Sequence, residues 1–294
     1  MAQVIQDRRL TPATARLAHV SLRGQVEAEA WTEGKASQVA LPLVDLLRTP
    51  DGARERQLAL GEGFVVVDHA AGHAFGFAQK DGYCGWLPEV ALRAVVPPTH
   101  WVASPGTHLY PEPRSSAREV DALPMGARVQ VLAGVDKWAE TPDGFVPFSH
   151  LRPVGDWLTD PVAVAERFLG VPYLWGGNSR AGMDCSGLVQ MVFAACGVTV
   201  PGDADLQESA GREVGDGTLQ RGDLLFWQGH VALIVDEVRL IHANGSTMSV
   251  AYEGTEACIQ RIAAAGEGPV RARRRLSVET RPDESLINRP AGSP

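Results

Sequence analysis

The sequence predicts an α+β protein in which two small all-β units precede a domain of helices followed by adjacent strands. Three observations point there. Two segments within residues 53–151 resemble each other, both rich in short β runs broken by Gly, Pro and Asp. The pattern turns to helical spacing after residue 155, and strand-like runs then follow one another closely. At 294 residues the chain exceeds one ordinary domain, in keeping with two or three folded units.

The repeat is direct. ARERQLALGEGFVVV near 53 returns as AREVDALPMGARVQV near 117, and DGYCGWLPEVAL near 81 returns as DGFVPFSHL near 143. The offset drifts from 64 to 62 residues, as short loop deletions in a duplicated unit would cause. The aromatics of WLPEV and FVPFSHL are read as barrel core. VVPPTHW at 95–101 is the expected seam. The chain is therefore divided into 1–97 (an N-terminal segment and the first β unit), 98–154 (the second), 155–276 (the α+β domain) and 277–294, a polar, Pro-rich tail.

In the α+β domain Asp160 is a helix N-cap with Pro161 at the first helical position, and VAVAERFLG closes at Gly170. A second helix is expected from about Ser186 to Gly197, another glycine cap. Strands are read at 223–227, 230–235, 239–244 and 270–276.

Composition excludes several function classes. The net charge of −8 and pI of about 5.5 leave no basic surface for nucleic-acid phosphates or anionic lipid, so neither nucleic acid nor membrane is an expected partner. No apolar run approaches the roughly 18 residues of a membrane span. The first twenty residues interleave Asp7, Arg8, Arg9, Pro12 and Arg16 with apolar positions and hold no secretory core, so a cytoplasmic location is expected. Four cysteines, at 84, 185, 196 and 258, form no C-x-x-C pair, which suits a reducing compartment.

The chemistry concentrates in PYLWGGNSRAGMDCSGLVQMVF, where a Gly-rich loop delivers Cys185 to the start of an apolar-periodic helix. The unpaired N–H groups and partial positive charge there favour thiolate over thiol. They could also face an oxyanion, often worth about 3 kcal/mol per donor. A thiol nucleophile needs a base that afterwards protonates the leaving amine. His230 begins an apolar strand after Gly229, and His242 lies in the next strand. The two share a face only if the hairpin register sum is even, through an odd-length loop or a bulge. As diagonal neighbours, the second histidine can hold the first in one tautomer.

A lone cysteine at a helix start is more often a small buried residue than a nucleophile. It is the glycine loop and the two histidines in order that favour catalysis. Zinc held by Cys185 and the histidines is the competing reading, but no compact ligand motif and no fourth ligand accompany them. Neither metal nor cofactor is expected. Cys84, Cys196 and Cys258 are read as structural, Cys84 and Cys258 in strand-like runs. The histidines at 19, 69, 73, 100, 108 and 150 are read as surface or turn residues.

With YLWGG at 173–177, DCSGLVQ at 184–190, RGDLLFW at 221–227, GHVALIV at 229–235 and IHANG at 241–245 in hand, the chain resembles the NlpC/p60 family of cell-wall cysteine peptidases, in the branch with bacterial SH3-like domains ahead of the catalytic one. The resemblance implies a papain-like catalytic domain behind two SH3-like barrels, with Cys185, His230 and His242 as triad. It implies a γ-D-glutamyl-L-diamino acid endopeptidase acting on small murein peptides, L-Ala-γ-D-Glu-diamino acid, with a free N-terminal L-Ala. It implies further that Asp184 and Ser186 contact the substrate's N-terminal end and that Tyr83, in DGYCGWLP, closes the pocket. A charge-assisted contact between Asp184 and an ammonium agrees with that. Two positions depart from the family pattern: Gly202 follows Pro201 where an arginine is usual, and Gly229 precedes the histidine where a serine is common. A non-catalytic wall-peptide binding protein and a hydrolase of intact peptidoglycan are the alternatives.

Overall fold

The structure, a computed structural model, describes residues 7–215 and 217–278. Most of the expected tail lies outside the described residues.

Strands Lys35–Val39, Leu43–Leu47, Arg54–Ala59, Gly63–Ala70, His73–Ala78, Cys84–Pro88 and Leu92–Arg93 form one seven-stranded antiparallel sheet. It curls around Val39, Leu46, Leu58, Phe64 and Leu87, the inward members of alternating strands. The second unit is built from shorter strands in separate small sheets: His100–Val102 between Arg128–Val129 and Leu151–Pro153, Gly106–Leu109 with Asp121–Pro124, and Trp138–Thr141 between Ala133–Val135 and Gly144–Pro147. The sequence repeat reappears as structure. In both units a strand ending in proline (Cys84–Pro88, Gly144–Pro147) runs into a 3-10 turn (Glu89–Ala91, Phe148–His150) and a closing strand that begins with leucine. Ala59 and Leu60 of the first unit pack in the core of the second, beside Val102, Leu123 and Val146.

None of the three aromatics read as core, Trp86, Phe145 and Phe148, is fully buried. Trp86 and Phe145 are half-buried and Phe148 is exposed, while the buried aromatics of the two units are others, among them Phe64 and Tyr83 in the first and Trp138 in the second. His73, read as a surface or turn residue, is buried within its strand.

In the third unit Asp160 caps helix Pro161–Glu166, its Oδ1 accepting from the N–H groups of Val162 and Ala163. Helix Cys185–Ala195 ends before Gly197, which sits at φ +77°. Six strands follow in the order Arg212–Glu213, Ala272–Arg275, Leu224–Trp227, His230–Ile234, Arg239–Asn244, Ser249–Gly254, every pair antiparallel. Helix Cys185–Ala195 packs on the face carrying Val231, Leu233 and Ile241. The opposite face, with Ala232, Ile234 and Leu240, is covered by helix Thr255–Ala264. The strand at 249–254 and that helix were not foreseen. Cys258, read as strand-like, lies in the helix and is fully buried. The helix has a weak sequence signature, because only Cys258 and Ile262 face the core and its remaining surface is polar or small.

Candidate active site

Cys185 opens its helix because Asp184 caps it: Oδ1 accepts from the N–H of Gly187 at 2.6 Å and Oδ2 from the N–H of Gly176 at 2.7 Å. Gly176 can take that position only as glycine, since its φ is +70° and a Cβ there would lie 2.6 Å from the backbone oxygen of Glu55. The Gly-rich loop thus presses against a strand of the first β unit while pinning the nucleophile helix.

The backbone N–H groups of Val231 and Ser186 lie near enough to the Cys185 thiol to favour its thiolate form, so the thiol rests against the start of the His230 strand. Leu233 pairs with Ile241 and Ile234 with Leu240, an even register sum that turns the two histidines to one face. Nε2 of His230 lies 2.9 Å from Nδ1 of His242, with the rings edge to face at 63°. Beyond His242, Nε2 lies 3.2 Å from an oxygen of Glu253, on the next strand.

Burial dominates the electrostatics. It pushes the Cys185 thiol up to about 12, Asp184 adds to the rise, and the N–H groups of Val231 and Ser186 oppose it. It pushes His230 down to about 3 and His242 down to about 4. Burial thus favours the neutral form of the Cys185 thiol and of the His230 imidazole alike, and for the thiol it outweighs the pull of the helix end towards thiolate.

A cavity of roughly 480 Å³ opens over Cys185, lined also by Tyr83, Tyr173, Asp184, Ser186, Asp203 and Glu55. All three residues expected to bind substrate stand in it, and two of them come with structural duties. Ser186 Oγ donates to Asp184 Oδ1 at 3.1 Å. Arg56, buried in the first β unit, places Nη1 3.0 Å from Ser186 Oγ, 3.4 Å from Asp184 and 3.5 Å from Asp203. Asp184 is thus a helix cap with a cation beside it as well as a cavity wall. Tyr83, 3% exposed, donates its hydroxyl to Asp203 Oδ2 at 2.9 Å.

Gly202 acquires a physical meaning here. A Cβ on it would meet the Tyr83 ring at 2.7 Å and Arg56 Nε at 3.4 Å. The space a side chain at this position would need is taken by Tyr83 and Arg56 of the first β unit.

Sequence reading missed Arg56, Glu55, Asp203, Glu253 and the N-terminal segment. Asp7 caps a 3-10 turn at Arg8–Leu10, whose Arg8 pairs with Glu55 while Arg9 reaches Asp203 at 2.7 Å and Asp205 at 2.6 Å. The only available signal was the density of charge in RERQ at residues 54–57, and that is equally the signal of a solvated strand. His242, Glu253 and Cys258 bring their ligating atoms within 4.8 Å of one another, but Arg261 fills that place with a positive charge, donating to both Glu253 oxygens at 2.8 Å.

Comparison with known proteins places these features. A family model described as the NlpC/P60 family matches residues 170–265, and one described as the bacterial dipeptidyl-peptidase Sh3 domain matches residues 46–92. The γ-D-glutamyl-L-lysine dipeptidyl-peptidase of Bacillus cereus is 28% identical over 229 residues, covering 67% of this chain and 69% of that protein. Its namesake from Bacillus subtilis is 31% identical over 196 residues, covering 59% and 64%. The crystal structure of an NlpC/P60 family protein from Bacillus cereus shares the fold, with a TM-score of 0.70 at 22% identity over 82% of this chain and 99% of that one.

Proposed function

This chain carries an NlpC/P60 cysteine-peptidase domain behind a bacterial SH3 domain of the dipeptidyl-peptidase type, and from that premise we propose that it hydrolyses the bond between γ-D-Glu and a diamino acid in murein stem peptides that begin with a free L-Ala. The observation that carries the reading is the cavity over Cys185, in which the carboxylates of Glu55, Asp184 and Asp203 face the same space as the nucleophile. Arg8, Arg9, Arg48 and Arg54 line the same space and arginines already pair with these carboxylates, so a substrate ammonium would share them with the protein's own cations, a short distance from the attacked carbonyl. The two Bacillus relatives, named for γ-D-glutamyl-L-lysine, point to the same bond.

In this mechanism His230 takes the thiol proton as Cys185 attacks the γ-carbonyl of D-Glu. N–H groups at the helix start face the developing oxyanion. The same imidazole protonates the leaving amine of the diamino acid, and water then hydrolyses the thioester, releasing L-Ala-D-Glu with a free γ-carboxylate and restoring the Cys185 thiol. A substrate with a free L-Ala has already been cut from the sugar chains, which places the reaction in recycling of wall peptides and, in this reading, in the cytoplasm.

Mass spectrometry of products from L-Ala-γ-D-Glu-diaminopimelate tests the assignment. The wild type should yield the dipeptide and free diaminopimelate, while Cys185→Ala should yield neither and keep its fold. Cleavage at another bond, or turnover by Cys185→Ala, would remove the proposal.

A further inference from the structure

The face that carries the two histidines continues one strand further. His242 pairs with Ala251, so Glu253, two residues on, is its diagonal neighbour, just as His242 is the diagonal neighbour of His230. Three side chains therefore run across three adjacent strands, with separations of 2.9 Å from His230 to His242 and 3.2 Å from His242 to Glu253. Nε2 of His242 is buried, and the Glu253 oxygen lies off its hydrogen-bond line, so the contact is one of charge more than of a linear bond. Glu253 is itself held. Arg261 grips both its oxygens, and the Cys258 thiol stands beside the pair, with Sγ 3.6 Å from Arg261 Nη2.

We propose that Glu253 is a positioning residue for the catalytic histidines, fixing the proton of His242 on Nε2. His242 Nδ1 then has a lone pair and accepts from the Nε2–H of His230. That leaves Nδ1 as the basic nitrogen of His230, the atom that takes the Cys185 proton. With the opposite tautomer of His242 an N–H would face Nε2 of His230, and the base would carry its proton on the wrong nitrogen. The arrangement rests on the assignment of Cys185, His230 and His242 as catalytic and not on the identity of the peptide. The charged and titratable groups facing His242 are His230, Glu253 and Arg261, and those facing Glu253 are His242, Cys258 and Arg261.

Two measurements on the full chain test it. Nitrogen-15 NMR of the histidine rings at pH 7 reads the tautomer without substrate: wild-type His242 should be protonated at Nε2 and unprotonated at Nδ1. With L-Ala-γ-D-Glu-diaminopimelate, Glu253→Gln should lower kcat by about tenfold to a hundredfold, with KM within about twofold, and Glu253→Asp should recover part of the loss. The Glu253→Gln spectrum should show the Nε2–H tautomer of His242 no longer dominant. A wild-type His242 protonated at Nδ1 would overturn the proposal even if every variant failed to fold. An unchanged kcat in Glu253→Gln would overturn it as well, and so would a loss of activity with the His242 tautomer unaltered. Because the tautomer is read in the free enzyme, a wrong peptide assignment would leave this result standing.

Discussion

Arg56 Nη1 lies 3.4 Å from Asp184, although Arg56 belongs to a strand of the first β unit and Asp184 caps the nucleophile helix of the third. The active site is therefore assembled across a domain junction. A buried cation set between Asp184 and Asp203 leaves uncompensated charge when it is removed, a loss that typically amounts to about 3 kcal/mol. Arg56→Gln should lower stability by that order in a denaturant titration and should reduce cleavage. A change under roughly 0.5 kcal/mol, the scale of an ordinary surface substitution, would show the junction to be incidental.

Asp184 combines a cap with a charge, and substitution separates the two. Asparagine is as good an N-cap as aspartate, so Asp184→Asn should keep the helix start. It removes a negative charge that helps to raise the Cys185 thiol. Iodoacetamide should then label Cys185 faster than in the wild type at pH 8, while peptide cleavage falls. Slower labelling of the variant would contradict the electrostatic account of the thiol.

The pH profile follows from the direction of the histidine shifts. Burial disfavours imidazolium, so His230, at about 3, and His242, at about 4, stay neutral far below the ordinary histidine value. The acid limb of kcat/KM should therefore lie well under pH 6. On the alkaline side the substrate loses its ammonium at a pKa of about 8, before Cys185 at about 12 contributes. A limb near pH 8 that moves with the amine of the peptide is expected. An acid limb at or above 6.5 would mean that the base is more solvated than the structure shows.

Gly202→Ala probes the contact between Tyr83 and the loop before helix Ala204–Gln207. The added methyl would stand 2.7 Å from the ring and displace it from Asp203, to which its hydroxyl donates at 2.9 Å. Loss of one positioned wall of a small-molecule pocket should raise KM by roughly threefold to tenfold, with a smaller change in kcat. Unchanged kinetics would remove Tyr83 from the pocket lid.

What was legible in the sequence was local. Cys185 with its glycine loop, the strand beginning at His230 and the even-register hairpin to His242 are all fixed by neighbours within a few residues, and the structure sets His230 and His242 side by side with Cys185 against the same strand start. The repeat was legible for the same reason. Arg56, Glu55 and Asp203 were not, because each acquires its meaning from a segment far away in the chain, and an alternating charged strand reads as a solvated face until the partner domain is seated on it. Glu253 was hidden by a strand whose burial alternates weakly and by a helix whose apolar face is only two residues wide. The thiolate was overread, since a helix end is visible in sequence and desolvation is not.

The central claim is that the pocket over Cys185 selects a free N-terminal amine. An acetylated amine carries no charge with which to join the network of carboxylates and arginines that lines the cavity, whereas a free ammonium can add a charge-assisted contact, so discrimination of about a hundredfold is expected. Tyr83→Ala should weaken cleavage of the free peptide and relax the exclusion. The direct measurement is kcat/KM for L-Ala-γ-D-Glu-diaminopimelate against its N-acetyl derivative with the wild-type enzyme. A ratio of about one hundred or more in favour of the free peptide is predicted; equal rates on the two would contradict the account.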